Sequence, residues 1–191
     1  NGRSRGLGDV YKRQDLRSEQ KMFRLLQGDV GSGKTIVALT SILNVINSKF
    51  QVAFMAPTEI LAQQHYNLAK SLLPDNVKID ILTSKTDNKI RKKIINDLEN
   101  HQIDLLIGTH SLFQNKINYR KLGLIIIDEQ HKFGVKQRKK LSDKGGKNCD
   151  ILVMSATPIP RTMIMTIFGD MDVSIIKSKP KNRKEITTLS K

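Results

Sequence analysis

Two stretches of this chain carry residue types that could handle a phosphate. Gly28-Asp29-Val30-Gly31-Ser32-Gly33-Lys34-Thr35 meets the pattern G-x-x-x-x-G-K-[ST] without deviation. In such a loop the glycines let backbone N–H groups curl round a phosphate, and the positive end of the following helix adds its dipole. The ammonium of Lys34 would reach the β- and γ-phosphates, and the hydroxyl of Thr35 would ligate magnesium. Gly28, Gly31, Ser32, Gly33, Lys34 and Thr35 are therefore the candidate nucleotide-binding residues. The second stretch, Leu124-Ile125-Ile126-Ile127-Asp128-Glu129, ends an apolar run in two carboxylates. Asp128 could hold magnesium through a water, and Glu129 is the candidate base that orients an attacking water. Alone, such a run is as readily a strand cap or a solvated turn. Downstream of a phosphate loop it becomes the second half of an ATP and Mg2+ site, with Lys34, Asp128 and Glu129 as catalytic candidates and Thr35 and Asp128 as metal candidates.

These residues need strands that end beside one another, and the pattern supplies them. Residues 23–26 read as a buried strand running into the loop, and 35–47 as a helix apolar on nearly all sides, hence central. Residues 52–56 are strand-like and stop at Pro57. Thr58 can cap a helix that runs to about Leu72, with Glu59 favourable in its first turn. Residues 77–82 form another strand. The spacing of Ile90, Ile94, Ile95 and Leu98 predicts a surface helix over 88–100. Residues 105–107, 122–127 and 151–154 are short, non-alternating apolar runs, as expected of parallel strands buried on both faces. A helix near 160–168 and a strand near 173–176 complete the pattern. Strand–helix alternation throughout implies an α/β fold: a doubly wound, mainly parallel sheet with helices on both faces.

The formal charge of +15 and pI near 10.0 point toward a polyanion, although a general enrichment in lysine gives the same numbers. No apolar run approaches the roughly 20 residues that cross a bilayer, so no membrane partner is expected. Cys149 is the single cysteine, which leaves no disulfide framework and no cysteine-based zinc site and fits a reducing, cytoplasmic setting. Residues 1–14 stand apart. Asp9-Val10-Tyr11-Lys12-Arg13-Gln14 is one reading-frame translation of a common transposase sequencing adapter, so 1–14 is read as a non-native segment, with a natural basic arm as the alternative. Residues 15–176 then form the folded unit, and the lysine-rich 177–191 reads as a linker.

Further motifs extend the pattern. Asp128-Glu129-Gln130-His131 resembles the D-E-x-H signature of superfamily 2 helicases, and Ser155-Ala156-Thr157 resembles that superfamily's coupling motif. Ala56-Pro57-Thr58-Glu59 and Gly108-Thr109-His110 follow two other strands, where the superfamily binds a nucleic-acid backbone. Singly, each is more often a turn or a cap. Together, in order, and with the segments Met55–Ala62, Ile126–Val135 and Met154–Thr162, they resemble the RecG family of bacterial ATP-dependent DNA helicases from about Asp15 to Arg183. The related transcription-repair coupling factors typically read D-E-E-Q and G-F-G-K-T where this chain has Asp128-Glu129-Gln130-His131 and Gly31-Ser32-Gly33-Lys34-Thr35.

That resemblance implies a RecA-like P-loop NTPase lobe: the first motor lobe of a double-stranded DNA translocase that remodels stalled forks and Holliday junctions in recombination and repair. It implies Lys34, Thr35, Asp128 and Glu129 at the ATP site. Pro57, Thr58, Gly108, Thr109 and His110 become DNA-backbone contacts, and His131, Ser155 and Thr157 couplers between ATP state and DNA grip. It also implies partners: duplex or branched DNA, a second RecA-like lobe and a wedge domain of the same parent chain, in a bacterial, nucleoid-associated setting. Aromatic residues are only 5% and tryptophan is absent, which favours backbone contacts over base stacking. A coupling-factor-like lobe, or a nucleotide-dependent DNA-binding module without turnover, are the other readings. The alternative for His131 is a satisfied structural histidine in the core or on the surface. His65 and His101 read as incidental residues on helices, and Arg91-Lys92-Lys93 as a solvated helix face. Gly145-Gly146-Lys147 is a turn without the spacing of a second phosphate loop.

Overall fold

Apolar residues in a strand buried on both faces must split between two cores, and strand β2 (Gln51–Met55) does so residue by residue. Val52 and Phe54 join one apolar cluster, Ala53 and Met55 the other. The computed structural model describes residues 22–114, 116–128, 149–157 and 171–177. Within them, β1 (Phe23–Gly28), β2, β3 (Ile79–Leu82), β4 (Leu105–Gly108), β5 (Leu122–Asp128), β6 (Asp150–Ser155) and β7 (Asp172–Ile176) form one sheet in the order β3-β4-β2-β5-β6-β1-β7. Every described pairing is parallel. The expected doubly wound α/β sheet is present.

Helices cover both faces. α1 (Lys34–Asn47) and α2 (Glu59–Leu72) lie over the Phe54 cluster, to which they contribute Ala38, Leu39, Ile42, Val45, Ala62 and Ala69. α3 (Asn88–Glu99) packs Ile94 and Leu98 into the other cluster. Thr58 caps α2 as its residue type suggests, its hydroxyl accepting from the N–H of Leu61 at 3.3 Å. Among the described residues no helix is long and apolar enough to cross a membrane.

The elements depart from expectation at a few ends. β3 begins at Ile79 rather than 77, because the Val77 N–H turns back onto the Pro74 carbonyl at 3.0 Å. His101 lies beyond α3, not on it, in a left-handed conformation at φ 58° that closes the helix end. A 3-10 turn at His110–Phe113, not foreseen, follows β4. The helix expected near 160–168 and the segments 1–14 and 178–191 lie outside the described residues.

Register sets the site. In the central strands Gln27 lies opposite Ser155, and Met154 lies opposite both Leu26 and Asp128. The phosphate loop, Asp128 and the Ser155 motif therefore leave adjacent strands at one level, the carboxyl ends. In parallel α/β sheets that edge is where ligands bind.

Candidate active site

The loop between β1 and α1 takes its shape from two glycines in its backbone. Gly31 and Gly33 have φ of 78° and 92°, which L side chains rarely adopt, so the turn requires glycine there. Gly33 is the N-cap residue of α1 and supplies no side-chain cap, so the first-turn N–H groups of the helix point at the loop without a side-chain acceptor. A Cβ on Gly28 would stand 2.6 Å from the rotatable Ser32 Oγ and 3.1 Å from Ile176 Cβ, so a side chain there would crowd both the loop and β7. Ser32 Oγ is buried without a hydrogen-bond partner, an unmet polar atom inside the cradle. Lys34 folds back over the loop, its Nζ donating to the carbonyls of Gly28 at 2.7 Å and Asp29 at 2.9 Å. Neutral carbonyls are weaker acceptors than a phosphate oxyanion, which would draw the ammonium off them. Uncapped helix, orphaned hydroxyl and poised lysine fit a nucleotide's phosphates.

Asp128 stands at the end of β5, two strands from the loop. Its Oδ2 lies 2.8 Å from His65 Nε2, and the two side chains are only 14% and 10% exposed. His65 thus lies against the metal candidate, which corrects its reading as incidental. No cluster of three or more His, Cys, Asp or Glu side chains forms a metal cage among the described residues. Magnesium needs none when phosphate oxygens and waters complete an octahedron around one or two protein oxygens, so Thr35 and Asp128 fit that chemistry. Glu129 and His131 lie outside the described residues.

Ser155 and Thr157 are joined across the turn after β6. Ser155 Oγ donates to the Thr157 carbonyl at 3.1 Å and lies 3.2 Å from Thr157 Oγ1. Gln27 Nε2 donates to that same carbonyl at 3.0 Å. Sequence reasoning missed Gln27. The available signal was a polar residue ending a buried apolar strand directly before Gly28. For His65 the signal was a polar residue between Ala62 and Ala69 on the buried side of α2.

The other candidates gather along the same edge. Pro57 is half-buried and Thr58 exposed at the start of α2; Thr109 is half-buried and His110 exposed beyond β4. Gly108 serves packing: a Cβ there would collide with the Leu82 carbonyl, and the Gly108 oxygen accepts from Ala56 N–H at 2.8 Å. Arg91 is no plain solvated residue. Its guanidinium donates to the Thr83 carbonyl at 2.8 Å and to Gln114 Oε1 at 3.2 Å, whereas Lys92 and Lys93 are exposed.

A family model described as DEAD/DEAH box helicase matches residues 13–166. The chain belongs to that family. As a DEAD/DEAH box helicase sequence it is 51% identical over 175 residues to the ATP-dependent DNA helicase RecG of Borreliella burgdorferi, an alignment covering 91% of this chain and 25% of that protein. A solved structure described as RecG bound to a three-way DNA junction superposes with a TM-score of 0.79 at 45% identity, covering 95% of this chain and 24% of that one. A DEAD box protein from Methanococcus jannaschii superposes with a TM-score of 0.64 at 20% identity over 88% of this chain and 47% of that one, a likeness of fold alone. The resemblance to the RecG family holds over nearly the whole sequence, and the chain spans about a quarter of the length of its RecG relatives.

Proposed function

We propose that this chain is the first motor lobe of an ATP-dependent double-stranded DNA translocase that remodels stalled replication forks and Holliday junctions in recombination and repair. The observation that carries the reading is the convergence of the Lys34 loop, Asp128 and the Ser155–Thr157 turn on one sheet edge, in a chain nearly half identical to a RecG described as bound to a DNA junction.

The lobe's own residues bind and orient. The loop N–H groups and Lys34 hold the β- and γ-phosphates, while the apolar walls beneath them keep the sheet edge rigid. Bound magnesium would neutralise phosphate charge, with Thr35 and Asp128 as its protein-side contacts. Glu129 would position the attacking water. Thr58, Thr109 and His110 present polar groups on the neighbouring strand ends, suited to phosphate oxygens of a DNA backbone rather than to bases. The Ser155–Thr157 turn, bonded to the loop strand through Gln27, transmits the loop's state to that surface. A second RecA-like lobe would close the cleft and supply an arginine, and a wedge domain would meet the branch point. The setting proposed is the bacterial cytoplasm, at the nucleoid.

The test is ATP turnover by the whole protein with and without a branched DNA, in the wild type and in Lys34→Ala. Turnover strongly stimulated by branched DNA and lost in the variant is expected. The separate 191-residue chain should show negligible DNA-stimulated turnover. Nucleotide-dependent DNA binding with no turnover by the whole protein would instead make this lobe a binding module.

A further inference from the structure

Asp128 meets an imidazole that the phosphate chemistry itself does not call for. His65 Nε2 lies 2.8 Å from Asp128 Oδ2 across a sequence separation of 63. A carboxylate only accepts, so Nε2 carries the hydrogen in this pair. The ring is fixed on a second side as well. It packs on Phe54 with centroids 4.6 Å apart and planes tilted by 32°, and Phe54 is completely buried in β2. His65 sits on α2 between Ala62 and Ala69, both fully buried, so the helix cannot shift without disturbing the core. The imidazole is therefore held by packing, and the Asp128 carboxylate is held by the imidazole. With Oδ2 engaged, Oδ1 is the oxygen left for a further partner.

We propose that His65 is a positioning residue for the nucleotide's magnesium: by holding Oδ2 it fixes the plane of the Asp128 carboxylate, so that Oδ1 meets the hydrated ion without losing rotational freedom on binding. This rests on the reading of the Lys34 loop and Asp128 as a magnesium–nucleotide site. Hydrogen bonds that orient a ligating group commonly change metal affinity by about 10–100-fold when removed. The arrangement also has a mechanical consequence. α2 begins directly after Pro57 and Thr58, so the helix that steadies the carboxylate is anchored at the segment proposed to touch the DNA backbone.

The deciding experiment is calorimetric titration of the 191-residue chain with ADP, once in excess MgCl2 and once in EDTA. His65→Phe keeps an aromatic ring against Phe54 and removes the N–H. Its ADP affinity should fall roughly tenfold or more in magnesium, yet change by less than about twofold in EDTA. His65→Gln, which restores a side-chain N–H, should recover most of the loss. Equal losses in both conditions, or none in either, would overturn the proposal. The wild type gives a reading that depends on no variant's folding: the imidazole 15N signals of His65 should move when MgCl2 is added to the ADP complex. Signals that stay in place would overturn it too. Failure of the wild type to bind ADP in both conditions would contradict the phosphate-site reading itself and take this inference with it.

Discussion

Gln27 donates its side-chain N–H to the carbonyl oxygen of Thr157 at 3.0 Å, across 130 positions of sequence. Gln27 is the last residue before Gly28, it is 8% exposed, and it lies opposite Ser155 in the β1–β6 ladder. Ser155 donates to the same Thr157 oxygen. The strand that delivers the phosphate loop and the turn that follows the next strand are thereby bonded to one acceptor. The contact is direct, with no intervening loop between the two segments.

Substitution Gln27→Leu removes that link while retaining bulk. In the whole protein, DNA-stimulated ATP turnover should fall roughly fivefold or more, the scale of a modest coupling free energy. Turnover without DNA should change far less. Measuring both rates checks it, and equal changes in the two would mean that Gln27 supports the fold rather than the coupling.

Gln51 should matter for stability alone. It is fully buried, donates to the carbonyls of Leu98 at 3.0 Å and Ile103 at 2.8 Å, and accepts from Lys121 N–H at 3.1 Å. It thus ties the end of α3 and the approaches to β4 and β5. Gln51→Leu strands those backbone groups, and each buried orphan costs about 1–3 kcal/mol. The expected loss is about 2–4 kcal/mol, or a Tm lower by roughly 5–15 °C for a chain of this size. Thermal unfolding followed by circular dichroism checks it; an unchanged Tm would contradict it.

Glu59 offers a pH test with a definite sign. Ser84 Oγ donates to its Oε1 at 2.5 Å and Lys85 Nζ lies 3.3 Å from Oε2. The serine bond chiefly, opposed by desolvation and assisted by Lys85, holds this carboxyl below its ordinary 4.5. A carboxyl lowered in the folded state adds stability above its unfolded value, and that contribution is lost as pH falls through the folded value. A 13C titration of Glu59 should therefore show a midpoint below 4.5, which Ser84→Ala moves upward. A midpoint unmoved by that substitution would contradict the assignment.

Much of this was readable from residue types because the chemistry is local. Gly31 and Gly33 are required by positive φ within one turn, Thr58 caps within three residues, and the apolar runs of β5 and β6 follow from burial on both faces. What was not readable depends on strand order. β1 lies between β6 and β7, and only that placement brings Gln27 to Thr157. His65 meets Asp128 because α2 crosses the same face as Phe54, which its spacing alone does not reveal. Gly108 carries a motif position, yet its strand neighbour's carbonyl already explains why no side chain fits there.

The central claim is that Lys34, now resting on the carbonyls of Gly28 and Asp29, is there to take a nucleotide's phosphates. The most direct measurement is titration of the 191-residue chain with a fluorescent ATP analogue in magnesium buffer, wild type against Lys34→Ala. The wild type should bind saturably. The variant, still folded, should bind roughly 10–100-fold more weakly, the value of a lost charge-assisted hydrogen bond. Equal affinity in the two proteins would contradict the account.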